Sequence, residues 1–511
     1  MKVKRLLAGM LACATVFSAA MPTVSADDAL SPTRMGDVNV DNAVDISDVI
    51  MLARYAAEDT TVSVTKQGLA NADLNEDGKF TSADVTKILR IIAKLETAPV
   101  KAGSRDLMAG IAADLANSKN ADEAFEIAQT KFSLDLLQQA AKGNDGSKEK
   151  QKNILVSPLS AVMALGMTAN GASDETLAGM EQALGGLSID DLNRYLYTQK
   201  KDVAKSDELS LANAIWFRDD GTMPLPSMDF LQKNATFYDA GAYASPFDAS
   251  VKDEINDYVK EHTKGMIPKI LEQPPSLSTS MYLVNTLAFE SDWLSPFYAD
   301  SIGEKDFTAY DGSKTEVQMM YGSSAYYLED ENAMGFVKSY KNDKYAFVAM
   351  LPNEGVDIYD YVAGLEAESF HKMLASGTAE RVPYTWHISY SIPEFTYDYS
   401  YTMNDALKEM GMEKAFDGYH AEFGNMYDGA QAGDFFIGKV LQKTHIDVTP
   451  KGTRAAAATI VEMQAGAAMP EVNKDIYLDR PFVYMILDMD TDLPVFIGMV
   501  TDMNGCENPQ M

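Results

Sequence analysis

The most informative segment of this sequence is Gly452-Thr453-Arg454-Ala455-Ala456-Ala457-Ala458-Thr459. At the two-residue period of a strand, Thr453, Ala455, Ala457 and Thr459 share one side, and all four are small. Arg454 falls on the other side, where it can stay in water. No proline interrupts the run, so every residue could donate a ladder hydrogen bond. The pattern predicts a segment that is exposed in one state and slides into an existing sheet in another; the alternative is an alanine-rich helical turn.

The first residues have the pattern of a secretory signal. A basic start at residues 2–5 precedes an apolar stretch at 6–20, and Val24-Ser25-Ala26 offers small residues for cleavage. This predicts a signal peptide over residues 1–26 and an extracellular protein. Cys506 is the only cysteine beyond that segment, so the secreted chain cannot form an internal disulfide and depends on core packing and on metal. We interpret Cys506 as an unpaired surface thiol.

The chain is strongly acidic, with 75 Asp and Glu against 43 Lys and Arg and a formal charge of −32. Such a chain repels phosphate backbones, so nucleic acid is not an expected partner. No later apolar run is long enough to cross a bilayer, and we expect no membrane partner.

Two copies of an Asp-rich loop lie within residues 36–95, and each runs into an amphipathic helix, predicted at 49–57 and 85–95. Calcium prefers six to eight oxygen ligands around a tight loop, and two copies with equal spacing predict two bound ions. The predicted ligands are Asp37, Asn39, Asp41, Ala43 and Asp48 in the first loop, and Asp73, Asn75, Asp77, Lys79 and Asp84 in the second. Ala43 and Lys79 would contribute backbone carbonyls, and Gly78 suits the left-handed turn at loop position 6.

This repeat resembles a dockerin module over residues 34–96, an all-α calcium-binding unit that plugs secreted proteins into a cellulosome scaffold. The resemblance implies a cohesin module of a scaffoldin as the partner. The positions that match the family's cohesin contacts are Ile46, Ser47, Ala53 and Arg54 in the first copy, and Ser82, Ala83, Leu89 and Arg90 in the second. The short, polar, proline-bearing segment 97–104 is typical of a linker.

Beyond residue 105, helical patterns come first and strand patterns later, which favours an α+β domain of about 400 residues. Helices are predicted at 107–115, 121–139 and 157–167. Strands are predicted at 280–289, 346–351, 385–395, 482–488 and 495–500.

Several short motifs in this region come in a specific order. They are Asn153-Ile154-Leu155-Val156-Ser157-Pro158-Leu159-Ser160, Leu283-Val284-Asn285-Thr286-Leu287-Ala288-Phe289, Ile392-Pro393-Glu394-Phe395 and Arg480-Pro481-Phe482-Val483-Tyr484. Singly, each is core or turn material. In this order, with the small-residue stretch between the last two, they resemble a serpin over residues 105–503.

The resemblance implies the α+β serpin fold, with three β-sheets, about nine helices and an exposed reactive-centre loop. It also implies a suicide inhibitor of serine proteases and not an enzyme. The protease attacks the loop, the cleaved loop inserts into the central sheet, and the acyl-enzyme is trapped by the strain released.

The family pattern makes residues 452–459 the hinge of the loop and places the reactive bond at Gly466–Ala467, within candidates from Ala465 to Met469. These residues are small or flexible, which favours a subtilisin-like or elastase-like protease. Ser157, Ser160 and Asn285 match the region that opens the central sheet. Gln442 stands there in place of a common His, and an amide can replace both the donor and the acceptor of neutral His. Pro450 stands where the hinge usually begins with Glu.

Two other functions fit a dockerin-bearing chain. One is a hydrolase, although His-Glu-x-x-His and Gly-x-Ser-x-Gly are absent from the sequence and none of the five histidines has a motif partner. The other is a non-inhibitory serpin that is cleaved as a substrate and serves only as a cellulosome component.

Overall fold

The computed structural model describes residues 35–41, 44–75, 78–93, 104–143, 153–219, 224–248, 250–274, 279–427, 429–453, 472–504 and 506. The described residues before 94 form a small helical unit, and those from 104 onward form a larger α+β unit. The predicted signal peptide at 1–26 and most of the predicted linker lie outside them.

The small unit contains three helices. They are α1 (Ile46–Ala56), α2 (Lys66–Ala72) and α3 (Ser82–Ile92). Each Asp-rich loop ends in a capping box, with Asp45 and Thr81 as the N-caps of α1 and α3. These caps start both helices three residues earlier than the apolar pattern predicts. The core of the unit includes Leu52 and Ile88, which have no exposed surface.

The described residues of the larger unit contain nine α-helices, as the serpin resemblance implies. They are α4 (Glu123–Lys142), α5 (Pro158–Ala169), α6 (Asp174–Ala183), α7 (Ile189–Val203), α8 (Met228–Tyr238), α9 (Val251–His262), α10 (Ile358–Ala363), α11 (Ala367–Ala379) and α12 (Asn404–Leu407). Short 3-10 turns occur at Ala299–Ser301 and Glu413–Phe416, and a π turn at Lys408–Met412. Over the described ranges, no helix is both long and apolar enough to cross a membrane.

The strands of the described residues form three sheets, which confirms the expected architecture. They are β1 (Arg105–Asp106), β2 (Ile154–Val156), β3 (Leu209–Arg218), β4 (Gly241–Ser245), β5 (Met281–Phe289), β6 (Ser291–Asp292), β7 (Ile302–Thr308), β8 (Lys314–Ser324), β9 (Tyr327–Glu329), β10 (Ala333–Ser339), β11 (Tyr345–Pro352), β12 (Trp386–Pro393), β13 (Phe395–Thr402), β14 (Ile437–Val448), β15 (Gly452–Thr453), β16 (Val472–Tyr477), β17 (Phe482–Asp488) and β18 (Leu493–Val500).

The central sheet has the order β1-β4-β3-β5-β14-β15-β6, and β13 pairs with β14 as well. The second sheet has the order β2-β18-β17-β11-β10-β9, and the third β16-β12-β8-β7. Helix α5 contacts β3 and β5 of the central sheet and β18 of the second. Its residues are buried on almost every side, as expected for a helix that is apolar all round. Helix α5 therefore packs beneath the middle of the central sheet, between it and the second sheet.

Two sequence-based elements differ from the structure. The helix predicted at 107–115 is wrong, because the Leu107 amide donates to Ala242 O beside the central sheet and Gly110 has φ +84°, which breaks a helix. The run at 385–395 is two strands, because β12 ends at Pro393 in the third sheet and β13 begins at Phe395 in the central sheet.

Candidate functional site

The first residues of the hinge are docked in the central sheet. In β15, Thr453 pairs antiparallel with Val448 of β14 and with Ser291 of β6, and Gly452 pairs antiparallel with Asp292. Gly452 and Thr453 are both buried, Thr453 with 2% of its surface exposed. The small-residue stretch therefore enters the sheet as a strand at its first two positions. Arg454 to Thr459 and the predicted reactive bond at Gly466–Ala467 lie outside the described residues.

Three consecutive carbonyl groups tie the chain before the hinge to segment 293–297. The Trp293 indole Nε1 donates to Thr449 O at 2.9 Å, and the Trp293 amide donates to Lys451 O at 2.8 Å. The Phe297 amide donates to Pro450 O, also at 2.8 Å. Proline has no amide hydrogen, but these contacts use only carbonyl groups, so Pro450 is compatible with the docked turn.

Gly452 is required at its position by a close approach of two backbones. A Cβ built on Gly452 would lie 2.2 Å from Ser291 O and 2.7 Å from Asp292 Cα. Both are backbone atoms of the neighbouring strand and cannot rotate away. Docking at this depth is therefore restricted to glycine.

Thr453 makes its side-chain contact with Tyr340, the residue directly after β10. Its Oγ1 lies 2.6 Å from the hydroxyl of Tyr340, and either atom can be the donor. The ring of Tyr340 stacks on Trp293 with centroids 4.4 Å apart. Burial raises the pKa of Tyr340, so its hydroxyl stays protonated and able to donate. One aromatic pair thus holds both the turn before the hinge and the first inserted side chain.

Below the hinge, β5 and β14 are direct neighbours over only part of their length. Their parallel pairing runs from Met281 with Ile437 to Asn285 with Gln442. Above that point, within the part of the chain described, neither 286–289 nor 443–448 is paired with the other strand. The hinge closes this gap at its upper end. Residues that follow Thr453 could therefore continue between β5 and β14 as an added strand, antiparallel to both.

The four predicted sheet-opening residues lie together at the lower end of this gap. The Gln442 side chain accepts from Ser157 N through Oε1 and donates to Ser157 O through Nε2, each at 2.9 Å. Asn285 contacts Ser160 twice, accepting from its Oγ and donating to its carbonyl. All four are buried, with at most 2% exposed. The amide of Gln442 therefore uses both a donor and an acceptor, as predicted from its chemistry.

Asn213 on β3 also belongs to this network, although no motif in the sequence marked it. Asn285 Nδ2 donates to Asn213 Oδ1 at 2.7 Å, so Asn213 extends the network across a third strand. The signal was a polar residue inside the apolar run Leu211-Ala212-Asn213-Ala214-Ile215. Buried polar groups of this kind are nearly always hydrogen-bonded, so an asparagine in such a run indicates a polar partner inside the protein.

In the small unit, the first Asp-rich loop gathers oxygen atoms. The Asp41 amide donates to Asp37 Oδ1 at 3.1 Å and to Asn39 Oδ1 at 3.0 Å, which brings these two oxygens together. Asp48 is fully buried and accepts from the amides of Val38, Asn39 and Asp45. Burial raises the pKa of Asp48.

The second loop repeats this arrangement in part. Asp84 is fully buried and accepts from Leu74 N and Thr81 N. Gly78, at φ +71°, donates its amide to Asp73 Oδ2. Asn75 and Lys79 are described, whereas Ala43 of the first loop and Asp77 lie outside the described residues. Among the residues that are described, no group of three Asp, Glu, His or Cys side chains is arranged to hold a metal ion. The donors present are hard oxygens, the kind calcium takes.

The residues matched to cohesin contacts do not share one environment. Exposed on the small unit are Ile46, Ser47, Ala53, Arg54 and Ala83, while Ser82 and Arg90 are half-buried. Leu89 is only 4% exposed and packs in the core of the unit, so its assignment to a binding surface is wrong. Cys506 is a free thiol, as interpreted, but it is half-buried rather than fully exposed. Burial raises its pKa to about 12, and its Sγ accepts from Asn153 Nδ2 at 3.2 Å.

Two family models match separate parts of the chain. A family model described as "Serpin (serine protease inhibitor)" matches residues 127–503. One described as "Dockerin type I domain" matches residues 35–93.

Relatives and solved structures match the larger unit. A leukocyte elastase inhibitor of Equus caballus is 26% identical over 387 residues, covering 74% of this chain and 98% of that protein. The crystal structure of the thermophilic serpin tengpin in its native state is similar at 38% identity and TM-score 0.70, covering 78% of this chain and 99% of tengpin. The latent state of tengpin gives a TM-score of 0.62 at 36% identity, with 76% and 100% covered.

Proposed function

Since the chain belongs to the serpin family and carries a type I dockerin module, we propose that it is a secreted suicide inhibitor of serine proteases that attaches to a cellulosome scaffold. Family membership makes it a protease inhibitor with a docking module. Secretion, the class of protease and the cohesin partner are the parts that we propose. The proposed division of the chain is a signal peptide at 1–26, the dockerin module at 34–96, a linker at 97–104 and the serpin domain at 105–503.

The observation that carries the inhibitory function is the position of the hinge. Gly452 and Thr453 are paired as a strand above a gap between β5 and β14 that continues in the same direction. A loop that is already started as a strand needs no new nucleus, so insertion can proceed by adding one residue at a time. An inhibitory serpin depends on this speed, because insertion competes with hydrolysis of the acyl-enzyme.

In the proposed reaction, the serine hydroxyl of the protease attacks the carbonyl carbon of Gly466. The bond to Ala467 breaks, the new amino terminus leaves with a proton, and an ester joins Gly466 to the protease. Insertion of residues from Arg454 onward then carries the ester-linked protease away from the point of attack. Water would complete the hydrolysis if insertion were slow, and the cleaved inhibitor would then be released as a product.

We propose a protease with a small specificity pocket, subtilisin-like or elastase-like. The candidate residues before the bond are small or flexible across 465–469, and a trypsin-like pocket would require Lys or Arg there. Several of the curated relatives carry the name leukocyte elastase inhibitor, which supports the elastase-like class.

The proposed cofactor is calcium, two ions in the dockerin module. The residues that would hold it are Asp37, Asn39, Asp41, Ala43 and Asp48, and then Asp73, Asn75, Asp77, Lys79 and Asp84. When bound, calcium neutralises the gathered carboxylates and fixes each loop before its helix. The contribution of the chain is the buried pair Asp48 and Asp84, whose carboxylates also cap α1 and α3 from within.

We propose that the first copy provides the main cohesin-binding face. On α1, Ile46 and Ile50 lie four residues apart and are 43% and 50% exposed, which is unusual for isoleucine. The equivalent positions on α3 are Ser82 and Thr86, and Thr86 Oγ1 donates to Ser82 O at 2.7 Å. The apolar contact surface that a stable complex needs is therefore offered by α1.

The test is to mix the full-length secreted protein with subtilisin-like and elastase-like proteases and to separate the products on a denaturing gel. A band stable to boiling, at the summed mass of protease and cleaved inhibitor, is expected. The mass of the released C-terminal fragment identifies the reactive bond. Cleavage near Gly466 without that band would contradict inhibition and favour a serpin that acts only as a cellulosome component.

A variant lacking residues 34–96 separates the two modules. It should form the covalent complex as efficiently as the full chain and lose binding to immobilised cohesin. Adding a calcium chelator to the full chain should reproduce only the loss of cohesin binding. Loss of inhibition in the truncated variant would contradict the modular organisation.

A further inference from the structure

Lys338 on β10 is a lysine in an apolar environment. It is 8% exposed, and its Nζ lies 4.2 Å from the ring centre of Phe297 and 5.1 Å from that of Trp293. The ring centre of Tyr390 is 5.9 Å away. Lysine is almost never buried unless it is paired with an acid. Among the residues that the structure describes, Lys338 takes part in no ion pair.

The ammonium group is incompletely compensated in this position. It has three N–H donors, and the described residues provide one acceptor, Ser295 O at 2.7 Å. The ring faces attract a cation, but three aromatic contacts replace only part of a hydration shell. Burial accordingly lowers the pKa of Lys338 to about 7.

The surrounding titratable groups do not supply a counter-charge. On the neighbouring elements they are Tyr340 directly after β10, Tyr390 on β12, Glu208 bonded to Ser291, Asp292 on β6, and Lys474 on β16. Burial raises the pKa of both tyrosines, so they stay neutral. The carboxylates have other partners, since Glu208 accepts from Ser291 Oγ at 2.6 Å and Asp292 lies 4.0 Å from Lys341. Lys474 is paired with Glu329.

The contacts of Lys338 are also the contacts of the hinge. Trp293 and Phe297 bind the three carbonyls of Thr449, Pro450 and Lys451. Ser295, between them in sequence, accepts the hydrogen bond from Lys338. A displacement of segment 293–297 that breaks its hydrogen bonds to the hinge would therefore also move the groups that cover the ammonium.

We propose that Lys338 sets how readily the top of the central sheet opens, because its charged form favours the open arrangement in which water reaches it. The proposal rests on the proposed inhibitory function, in which the docked hinge starts insertion. The described contacts of Lys338 include Trp293, Phe297 and Ser295, so we assign it as a positioning residue that acts through segment 293–297.

The direction of the pH effect follows from linkage. A buried lysine with a lowered pKa binds a proton more weakly in the closed form than a hydrated lysine does in the open form. At pH values between the ordinary pKa of lysine and the lowered pKa of about 7, opening therefore takes up a proton. Opening becomes easier as the pH falls through that range. Below about 7 the closed form is protonated as well, and the dependence levels off. In the limit of complete hydration, the open population rises by about tenfold for each pH unit.

Two variants isolate the charge. Lys338→Met keeps the length of the side chain in an apolar cage and cannot take a proton, and Lys338→Arg keeps a charge at every pH used. Amide hydrogen exchange of segments 291–297 and 448–453 is measured by mass spectrometry in the free full-length proteins at pH 7, 8 and 9. Comparison at each pH cancels the chemical pH dependence of exchange itself.

We expect the exchange of the wild type relative to Lys338→Met to increase by at least threefold from pH 9 to pH 7. Lys338→Arg should exchange faster than Lys338→Met by a constant factor at all three values. Equal exchange of both variants, or a wild-type ratio that does not change with pH, would overturn the proposal. If Lys338→Met fails to fold, the exchange of the wild type is compared with that of Lys338→Arg at the same three pH values. The two exchange rates should approach each other as the pH falls toward 7.

The same proteins are then titrated against the protease that forms the boiling-stable band. More inhibitor molecules should be consumed per protease with Lys338→Arg than with Lys338→Met, because a hinge released from segment 293–297 no longer starts insertion as a docked strand. If the wild type forms no covalent band, the inhibitory function fails, and the exchange profile still decides the role of Lys338. If the band forms and exchange is independent of charge, only the role of Lys338 fails.

Discussion

Replacing Gly452 with alanine should turn an inhibitor into a substrate. The added Cβ would lie 2.2 Å from Ser291 O and 2.7 Å from Asp292 Cα, well inside ordinary contact distance. Both obstructing atoms are backbone, so either β6 must shift by about 1 Å or the hinge must leave the sheet. Overpacking of this kind costs about 1–3 kcal/mol.

If that cost falls on the docked hinge, the docked population decreases by roughly 5- to 150-fold. Insertion then starts from a detached loop and must form its first strand pairs while the acyl-enzyme is exposed to water. The expected result is a rise in the number of inhibitor molecules consumed per protease, with a matching increase in cleaved, uncomplexed product. Loss of docking should also appear as faster amide exchange at residues 449–453.

The assay is a titration of a fixed amount of protease with wild type and Gly452→Ala, read by residual activity and by the boiling-stable band. Gly303→Ala is the matched control. Gly303 also lies in a strand, but a Cβ there has nothing within 4 Å, so this variant should behave as wild type. Unchanged stoichiometry together with unchanged exchange in Gly452→Ala would refute the conclusion that the docked hinge starts insertion.

Three further predictions concern other parts of the chain. Gln442→Leu leaves the amide and carbonyl of Ser157 buried without their partner, so the free energy of unfolding measured in denaturant should fall by about 2–5 kcal/mol. Gln442→His should retain most of this stability near pH 8. It should lose that stability as the imidazole is protonated below about pH 6. Ile50→Asp should abolish binding to immobilised cohesin with calcium affinity unchanged, whereas Thr86→Asp at the equivalent position of the second copy should have little effect. Cys506 is half-buried, and with a pKa of about 12 its thiolate fraction is roughly one in ten thousand at pH 8. Iodoacetamide should therefore label it much more slowly in the native protein than in the unfolded one, and equal rates would contradict this.

The sequence predicted the part of the site that is encoded locally. The alternation that puts the small residues Thr453 and Ala455 on one side of a strand can be read from neighbouring residues alone. The structure has the Thr453 side chain buried, as that alternation predicts. The partners of the hinge could not be predicted in the same way. Tyr340 and Trp293 reach Thr453 and Thr449 from sequence separations of 113 and 156 residues, which only the folded topology brings together.

Periodicity would have corrected one assignment that the family resemblance made wrongly. On α3, Val85, Ile88 and Leu89 follow the spacing of a single buried helix face. That spacing assigns Leu89 to the core, where the structure has it, whereas the match to cohesin contacts placed it on the surface. Lys338 shows the opposite limit. In the strand Ala333–Ser339 a lysine reads as a solvent-facing residue, and nothing local indicates that the segment 293–297 and β12 cover it.

The two ends of the gap between β5 and β14 have different tasks in insertion. At the upper end, Thr453 can be followed downward by new strand pairs without breaking any pairing between β5 and β14 until Gln442 is reached. Only then must the loop separate Gln442 from Asn285 and disturb the bonds to Ser157. Changes at the upper end should therefore alter how many acyl-enzymes are trapped. Changes at Gln442 should alter the stability of the uncleaved protein and the last part of insertion.

If Gly452→Ala and Gln442→Leu are combined, their effects on unfolding free energy should add, because the two sites share no side-chain contact. Their effects on trapping should not add, because a loop that fails to start never reaches the lower end.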